Sequence, residues 1–149
     1  VPKLHAAAVL ASAFTITSTT FADITGLSVT LPRAGSYAIS VGGACSTVTT
    51  AQALQFCFNF TGTITSIGAS GLWSTPTAGY FSYQVQTANN ALAQSAATGT
   101  AAANAFMQLG YRGGITVTTS GTLTFRGLRP TASGTTTVLA GTSMMVIEV

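Results

Sequence analysis

Charge is what this chain lacks most. Its 149 residues include five Lys or Arg, two Asp or Glu and one His, for a formal net charge of +3. Charged residues ordinarily make up about a quarter of a soluble chain. A surface covered instead by Thr, Ser, Ala, Gly and Asn loses little hydration when it meets a partner. The composition favours a subunit of an assembly over a monomer kept apart by charge.

The shortage of acids and bases also limits the chemistry. A carboxylate pair needs two acids close in space, and a nucleophilic site needs a base beside a Ser or Cys. Metal-ligand spacing is absent among His5, Asp23, Cys45, Cys57 and Glu148. GxGxxG, Walker and HExxH motifs are absent too. We therefore expect no enzymatic activity, no catalytic residues, no cofactor and no metal site.

Neither a basic patch nor a long apolar run is present. The arginines are scattered, without the alternation of basic and aromatic residues that is typical of RNA-binding proteins. No run approaches the roughly 18 apolar residues of a membrane helix. We expect neither nucleic acid nor a membrane as a partner.

Cysteine is scarce as well, with only Cys45 and Cys57. In a hairpin centred near Thr49, Cys45 would lie opposite a residue near Ala53, and Cys57 opposite one near Val41. That register does not bridge the two sulfurs. The sequence predicts two free thiols that act as small apolar residues.

Much of the sequence shows the alternation of apolar and polar residues that is typical of β-strands. Residues 27–31 alternate strictly between apolar and hydroxyl side chains, and residues 32–35, PRAG, form a turn signal. The strongest apolar stripe, predicted as the floor of the core, consists of Leu54, Phe56, Phe58 and Phe60. About eight to ten short strands separated by Gly, Pro and Asn turns, with no amphipathic helix, indicate an all-β sandwich or barrel. Of the two we predict the antiparallel β-sandwich.

Three segments break this pattern. Residues 1–13 are Ala-rich and imitate a signal peptide, but a single positive charge and His5 in the apolar region favour an irregular, ordered N-terminal arm. The sandwich domain would then span 14–149. Residues 66–79, around Leu72 and Trp73, are predicted to be a loop. The low-complexity stretch 88–101 is predicted to be a long connection.

The last strand candidate, MMVIEV, is apolar on both faces. Met144 and Val146 alternate with Met145 and Ile147, so both faces need cover. One cover is the opposite sheet, and a neighbouring subunit is the simplest second one. We therefore predict an oligomer interface at these four residues.

Two stretches resemble virion proteins of tailed bacteriophages. Residues 20–37, TFADITGLSVTLPRAGSY, resemble a recurrent opening in that group, and residues 140–147, AGTSMMVI, resemble its last strand. Residues 113–115 and 120–123 fit the same pattern. The resemblance implies a jelly-roll-like sandwich, commonly trimeric, that serves as a head decoration protein or as a receptor-binding tail-fibre tip.

The resemblance and the composition together suggest a function. The first hypothesis is a capsid decoration or cement subunit on the exterior of the virion, bound to the major capsid protein or to other virion proteins. Pro2, Lys3, Leu4 and His5 of the arm would dock on the capsid. The alternative is a tail-fibre tip whose loop at Leu72 and Trp73 binds a host surface receptor.

Overall fold

The computed structural model describes residues 3–48, 54–74, 81–95, 106–129 and 135–149, and each regular element among them is a β-strand. The strands are β1 Lys3–Val9, β2 Phe14–Ile16, β3 Ala22–Leu31, β4 Gly35–Thr47, β5 Gln55–Phe60, β6 Ile64–Ser74, β7 Phe81–Ala88, β8 Ala91–Ser95, β9 Phe106–Val117, β10 Gly121–Leu128, β11 Thr136–Val138 and β12 Ser143–Glu148.

These strands form two antiparallel sheets. The large sheet has the order β1-β12-β4-β9-β6-β7-β8, with β11 paired to β4 and β2 paired to β11. The small sheet has the order β3-β10-β5. The predicted all-β antiparallel sandwich is thus confirmed.

The pairing is nested, like a long hairpin rolled onto itself. Strand β1 pairs with β12, β2 with β11, β3 with β10, β4 with β9, and β6 with β7. Because the chain crosses between the sheets after β2, β3, β4, β5, β9 and β10, the halves of this hairpin cover each other. Such winding is the arrangement of a double-sheet jelly roll. The next pair in the series, β5 with β8, forms no ladder among the described residues.

The core between the sheets is aromatic. The predicted stripe on β5 is confirmed, since Leu54, Phe56, Phe58 and Phe60 are each at most 2% exposed. The Phe125 ring stacks on Phe56 at 5.2 Å and meets Phe58 at 5.1 Å. Tyr111 lies edge-on to Phe58 at 5.4 Å, and its hydroxyl donates to the Phe56 carbonyl at 3.1 Å. Aromatic contacts of this geometry stabilise a core beyond the area they bury.

The hairpin predicted around Thr49 is wrong. Strand β4 belongs to the large sheet and β5 to the small sheet, so the two never pair. Cys45 lies opposite Val138 and Met107 instead. Both cysteines are free and buried, which confirms the prediction about the thiols although its register was mistaken. Sequence alternation locates strands but does not assign them to a sheet.

The expectation of an irregular arm is also wrong for residues 3–9. They form β1, the edge strand of the large sheet, paired to β12 from Lys3 opposite Glu148 to Val9 opposite Ser143. Leu10 follows, 3% exposed, and exchanges backbone hydrogen bonds with Thr142 and Gly141. Alanine has a low strand propensity, so this strand owes its conformation to its partner.

Two predicted loops contain strands. Ile64–Ser74 is β6, and it lies between β7 and β9. Strand β9 approaches it closely at one point, where a Cβ added at Gly113 would collide with the Gly68 carbonyl and with Ala69. The low-complexity stretch contains β8. Residues 75–79 and 96–101 of the two predicted loops lie outside the described residues.

Candidate assembly surface

The last strand has one buried and one open face. Met144 and Val146 are fully buried and point into the core, whereas Met145 is 46% exposed and Ile147 is half-buried on the other side. Strand β12 lies between β1 and β4, so its backbone is paired on both edges. Of the four residues predicted for an oligomer interface, only Met145 and Ile147 lie on the side of the sheet that a partner could reach.

That side of the large sheet, which we call the outer face, carries small residues in register. One row across the strands runs Ile147, Ala38, Gly114 and Gly68. The next row runs Ala7, Met145, Ser40, Arg112 and Ser70. Side chains of this size leave a flat surface with two apolar projections at β12. A flat face with few ions costs little to desolvate.

Arg112 is the one charged side chain in these two rows. A depression of about 320 Å³ lies between it and Ile147. Another of about 340 Å³ lies on its other side, toward Val85 and Thr87. Neither acid of the chain pairs with Arg112, because both are paired elsewhere. The outer face therefore combines an apolar end at β12 with an uncompensated cation near its middle.

The end of β12 is fixed by a cluster of polar contacts. Arg33 holds Glu148 through two nitrogens, with Nη2 at 2.8 Å from both carboxylate oxygens and Nε at 3.0 Å from Oε1. The Tyr37 hydroxyl donates to the Arg33 carbonyl at 3.0 Å. His5 Nε2 lies 3.2 Å from the Thr30 carbonyl, and its ring packs edge-on against Tyr37 at 5.7 Å. This cluster ties both terminal strands to the β3–β4 turn.

The other acid lies on the small sheet. Asp23 Oδ1 is 2.6 Å from Arg126 Nε, and Arg126 Nη1 donates to Asn90 Oδ1 at 2.6 Å. Cys57 lies beneath the same Asn90 oxygen, with Sγ at 3.7 Å. Burial raises the pKa of Cys57 to about 12, against a smaller opposing effect of Arg126. Burial alone raises the pKa of Cys45 to about 12.

The described residues among those predicted for capsid docking and recognition lie on strands, not on an arm or in a loop. Lys3, Leu4 and His5 lie on β1, while Pro2 lies outside the described residues. Leu72 and Trp73 lie on β6, opposite Tyr83 and Ser82 of β7, so the predicted loop is a strand. A recognition role for these two residues stays a prediction. Sequence reasoning gave no role to Arg112, although a charge among small residues on a strand was the available signal.

Two chemical absences hold for the part of the chain that the structure describes. No group of three or more His, Cys, Asp or Glu residues there could hold a metal ion. Within the same ranges, no helix is long and apolar enough to cross a membrane.

The strand order and the outer face define the class of this chain as an antiparallel, jelly-roll-like β-sandwich. No family model matches it, and no curated protein does. Among solved structures it is similar to the Eiger TNF of S. frugiperda at 8% identity and a TM-score of 0.44, over 99% of this chain and 94% of that one. A structure of the Gx strain of infectious bursal disease virus matches at 12% identity and a TM-score of 0.24, over 99% of this chain and 40% of that one. The fold assignment rests on the strand order.

Proposed function

We propose that this chain is a non-enzymatic structural subunit of a tailed-bacteriophage particle, and specifically a decoration or cement protein on the exterior of the head. It self-associates, most simply as a homotrimer, through the outer face at β12. The observation that carries the proposal is the open side of β12, where Met145 is 46% exposed beside rows of small residues. The resemblance of residues 20–37 and 140–147 to virion proteins supports the particle context.

The energetics fit a contact centred on β12. Burying the exposed parts of Met145 and Ile147, together with the small residues beside them, stabilises association at about 25 cal/mol per Å² of apolar area. Because Arg112 would be costly to bury without a partner, the contact places it at the rim. In a symmetric oligomer, every subunit gains the same small free energy of association. When several such contacts form in one particle, their combined affinity is much higher than that of a single contact.

Binding to the major capsid protein would use β1 rather than a loose arm. Among the described residues, strand β1 pairs with β12 alone, so its other edge can accept an extended segment of the capsid protein. Lys3 and His5 would then act from fixed positions on a strand. The alternative function, a receptor-binding tail-fibre tip, loses its main support because Leu72 and Trp73 lie on paired strand β6.

The test is the substitution Met145→Lys. A charge at the centre of a self-association surface should weaken assembly at least about tenfold, because its desolvation is uncompensated. Light scattering coupled to size-exclusion chromatography measures the mass over a dilution series. Val48→Lys is the matched control, because Val48 is 39% exposed and lies outside the two rows of the outer face.

We expect Met145→Lys to reduce the mass while Val48→Lys keeps the mass of the parent. Co-sedimentation with purified phage heads measures the second half of the proposal, and the parent should decorate heads without host cells present. A Met145→Lys protein that keeps the parent's mass throughout the dilution series would exclude this surface. Binding to susceptible cells but not to heads would support the tail-fibre alternative instead.

A further inference from the structure

The outer edge of β1 has backbone groups that the fold leaves unpaired. The Leu10 N–H donates to the Thr142 carbonyl at 2.8 Å, which belongs to the ladder between β1 and β12. Because bonding alternates along an antiparallel ladder, the backbone groups of Ala8 point toward β12 as well. Those of Ala7 and Val9 therefore point away from it, each with one N–H and one carbonyl. Strand β1 ends the order of the large sheet, so these groups lie at its edge.

These groups are free in the folded chain. No hydrogen bond of the described residues reaches the outward groups of Ala7 or Val9, and both residues are exposed. The usual protections of an edge strand are a proline, a bulge or a charged side chain. In β1 the charge of Lys3 and the bulge between Leu4 and Ala6 both lie toward the other end. The edge at 7–9 can therefore meet a partner strand without any rearrangement.

This edge is complementary to a second copy of itself. In an antiparallel pair about a two-fold axis at Ala8, Ala7 of each copy lies opposite Val9 of the other, and every outward group of the two residues is bonded. On the outer face, Ala7 lies between this Val9 and Met145 of its own chain. Because Val9 is 60% and Met145 46% exposed, the pairing gathers exposed apolar surface on both sides of a small residue. The two Lys3 side chains lie at opposite ends of the pair, so no like charges meet.

We propose that the edge of β1 at Ala7 and Val9 is a self-association site for a second copy of this chain. The second copy pairs there antiparallel and joins the two large sheets into one continuous sheet. This contact uses a strand edge instead of the outer face, so it goes beyond the proposed function. Competition with a capsid segment for the same edge is a further consequence, and it alone rests on the proposed function.

The register is tested by Ala8→Cys. The two-fold axis sets position 8 of one copy opposite position 8 of the other, in the closer, non-hydrogen-bonded type of pair that a disulfide can span. Mild oxidation should therefore link two copies, while the buried Cys45 and Cys57 stay reduced. Ala6→Cys is the matched control, because Ala6 is likewise half-buried and packs against the core from the same strand. Its counterpart in the second copy is Leu10, so it should give no more than background linkage.

Hydrogen exchange tests the pairing on the unmodified chain. From dilute to concentrated protein, exchange of the Ala7 and Val9 amides should slow at least about tenfold, because each gains a hydrogen bond. The Ala8 amide is already bonded to β12 and should change less.

Association that leaves the Ala7 and Val9 amides as fast as in dilute protein would overturn this proposal and leave the outer-face contact standing. Equal linkage of the Ala8→Cys and Ala6→Cys proteins would overturn it too. Neither measurement uses phage heads, so a failure to bind heads would contradict the proposed function without touching this inference.

Discussion

The outer surfaces of the two sheets differ in their polar contacts. The small sheet is crossed by polar contacts: Arg126 joins Asp23 to Asn90, and Ser28 Oγ lies 3.0 Å from Thr124 Oγ1. Its edge at β5 is covered by side-chain amides as well, since Gln86 bonds to both backbone groups of Phe58.

The outer face of the large sheet carries small residues together with the apolar side chains of Met145, Ile147 and Val9, of which Val9 is 60% exposed. A surface whose polar groups already bond to one another has few donors and acceptors left for a partner. A flat, uncharged surface loses little hydration free energy when a partner covers it.

The edges of the two sheets differ in the same way. The edge of β1 is open in the folded chain at Ala7 and Val9, so association there needs no rearrangement. The edge of β5 is occupied by side chains of its own chain, which leaves fewer backbone groups for a partner. We therefore expect both self-association sites on the large sheet, one on its outer face and one at its edge.

The largest effect is expected where the small sheet supplies the core. Phe125→Ala removes the ring that meets Phe56, Phe58 and Tyr111, and should lower the free energy of unfolding by about 3–5 kcal/mol. Urea denaturation followed by circular dichroism measures it. Thr122→Ala, on the same strand but only half-buried, is the control. A loss below about 1 kcal/mol would mean that the aromatic cluster is not the main core of this sheet.

High pH should act on both sheets, because each contains a buried thiol. The pKa of Cys45 and of Cys57 rises from 9.0 when unfolded to about 12 when folded. Below pH 9 both states bind the proton, so stability does not change. Between pH 9 and 12 only the folded state keeps it, so the free energy of unfolding falls by up to about 1.4 kcal/mol per pH unit for each thiol.

Urea denaturation from pH 8 to 11 measures this slope, and Cys57→Ala should make it shallower. Burial also raises the pKa of Tyr111, which adds a decline of the same sign at the upper end. Stability that stays constant from pH 9 to 11 would contradict the burial of the thiols. Native-state alkylation at pH 7 should correspondingly be slow at both cysteines.

The smallest effects are expected at the ion pairs. Arg33 and Glu148 are 68% and 27% exposed in their side chains, whereas Arg126 is 21% exposed beside Asp23. Glu148→Gln should leave thermal stability unchanged within error, since water screens that pair. Asp23→Asn should cost less than about 1 kcal/mol. A larger loss for Glu148→Gln than for Asp23→Asn in the same melting series would reverse the ranking of the two sheets.

The sequence predicted strands well where apolar and polar residues alternate. It succeeded at residues 27–31 and along the stripe of β5 because a period of two is a local signal. It failed for β6 because small inward residues such as Ala69 and Gly71 carry little apolar signal. It failed for β1 because an Ala-rich segment becomes a strand only through its pairing with β12.

The candidate sites divide in the same way. The apolar character of both faces of β12 was visible in its sequence, but only the packing shows which face remains open. The amide cover on β5 was not visible, because Gln86 and Phe58 are 28 residues apart and an amide in a strand carries no sign of its partner. Arg112 stood out only after its row of small neighbours was known.

The sequence by itself determined that this chain is all-β, that the Leu54–Phe60 stripe is buried, and that its surface carries almost no charge. Each of these follows from composition or from the two-residue period, which neighbouring residues set among themselves. The tertiary structure alone decided which strands share a sheet, which face of β12 is open and what closes the edge of β5. Those outcomes depend on pairing between distant residues, and no local pattern encodes which distant partner a strand will meet.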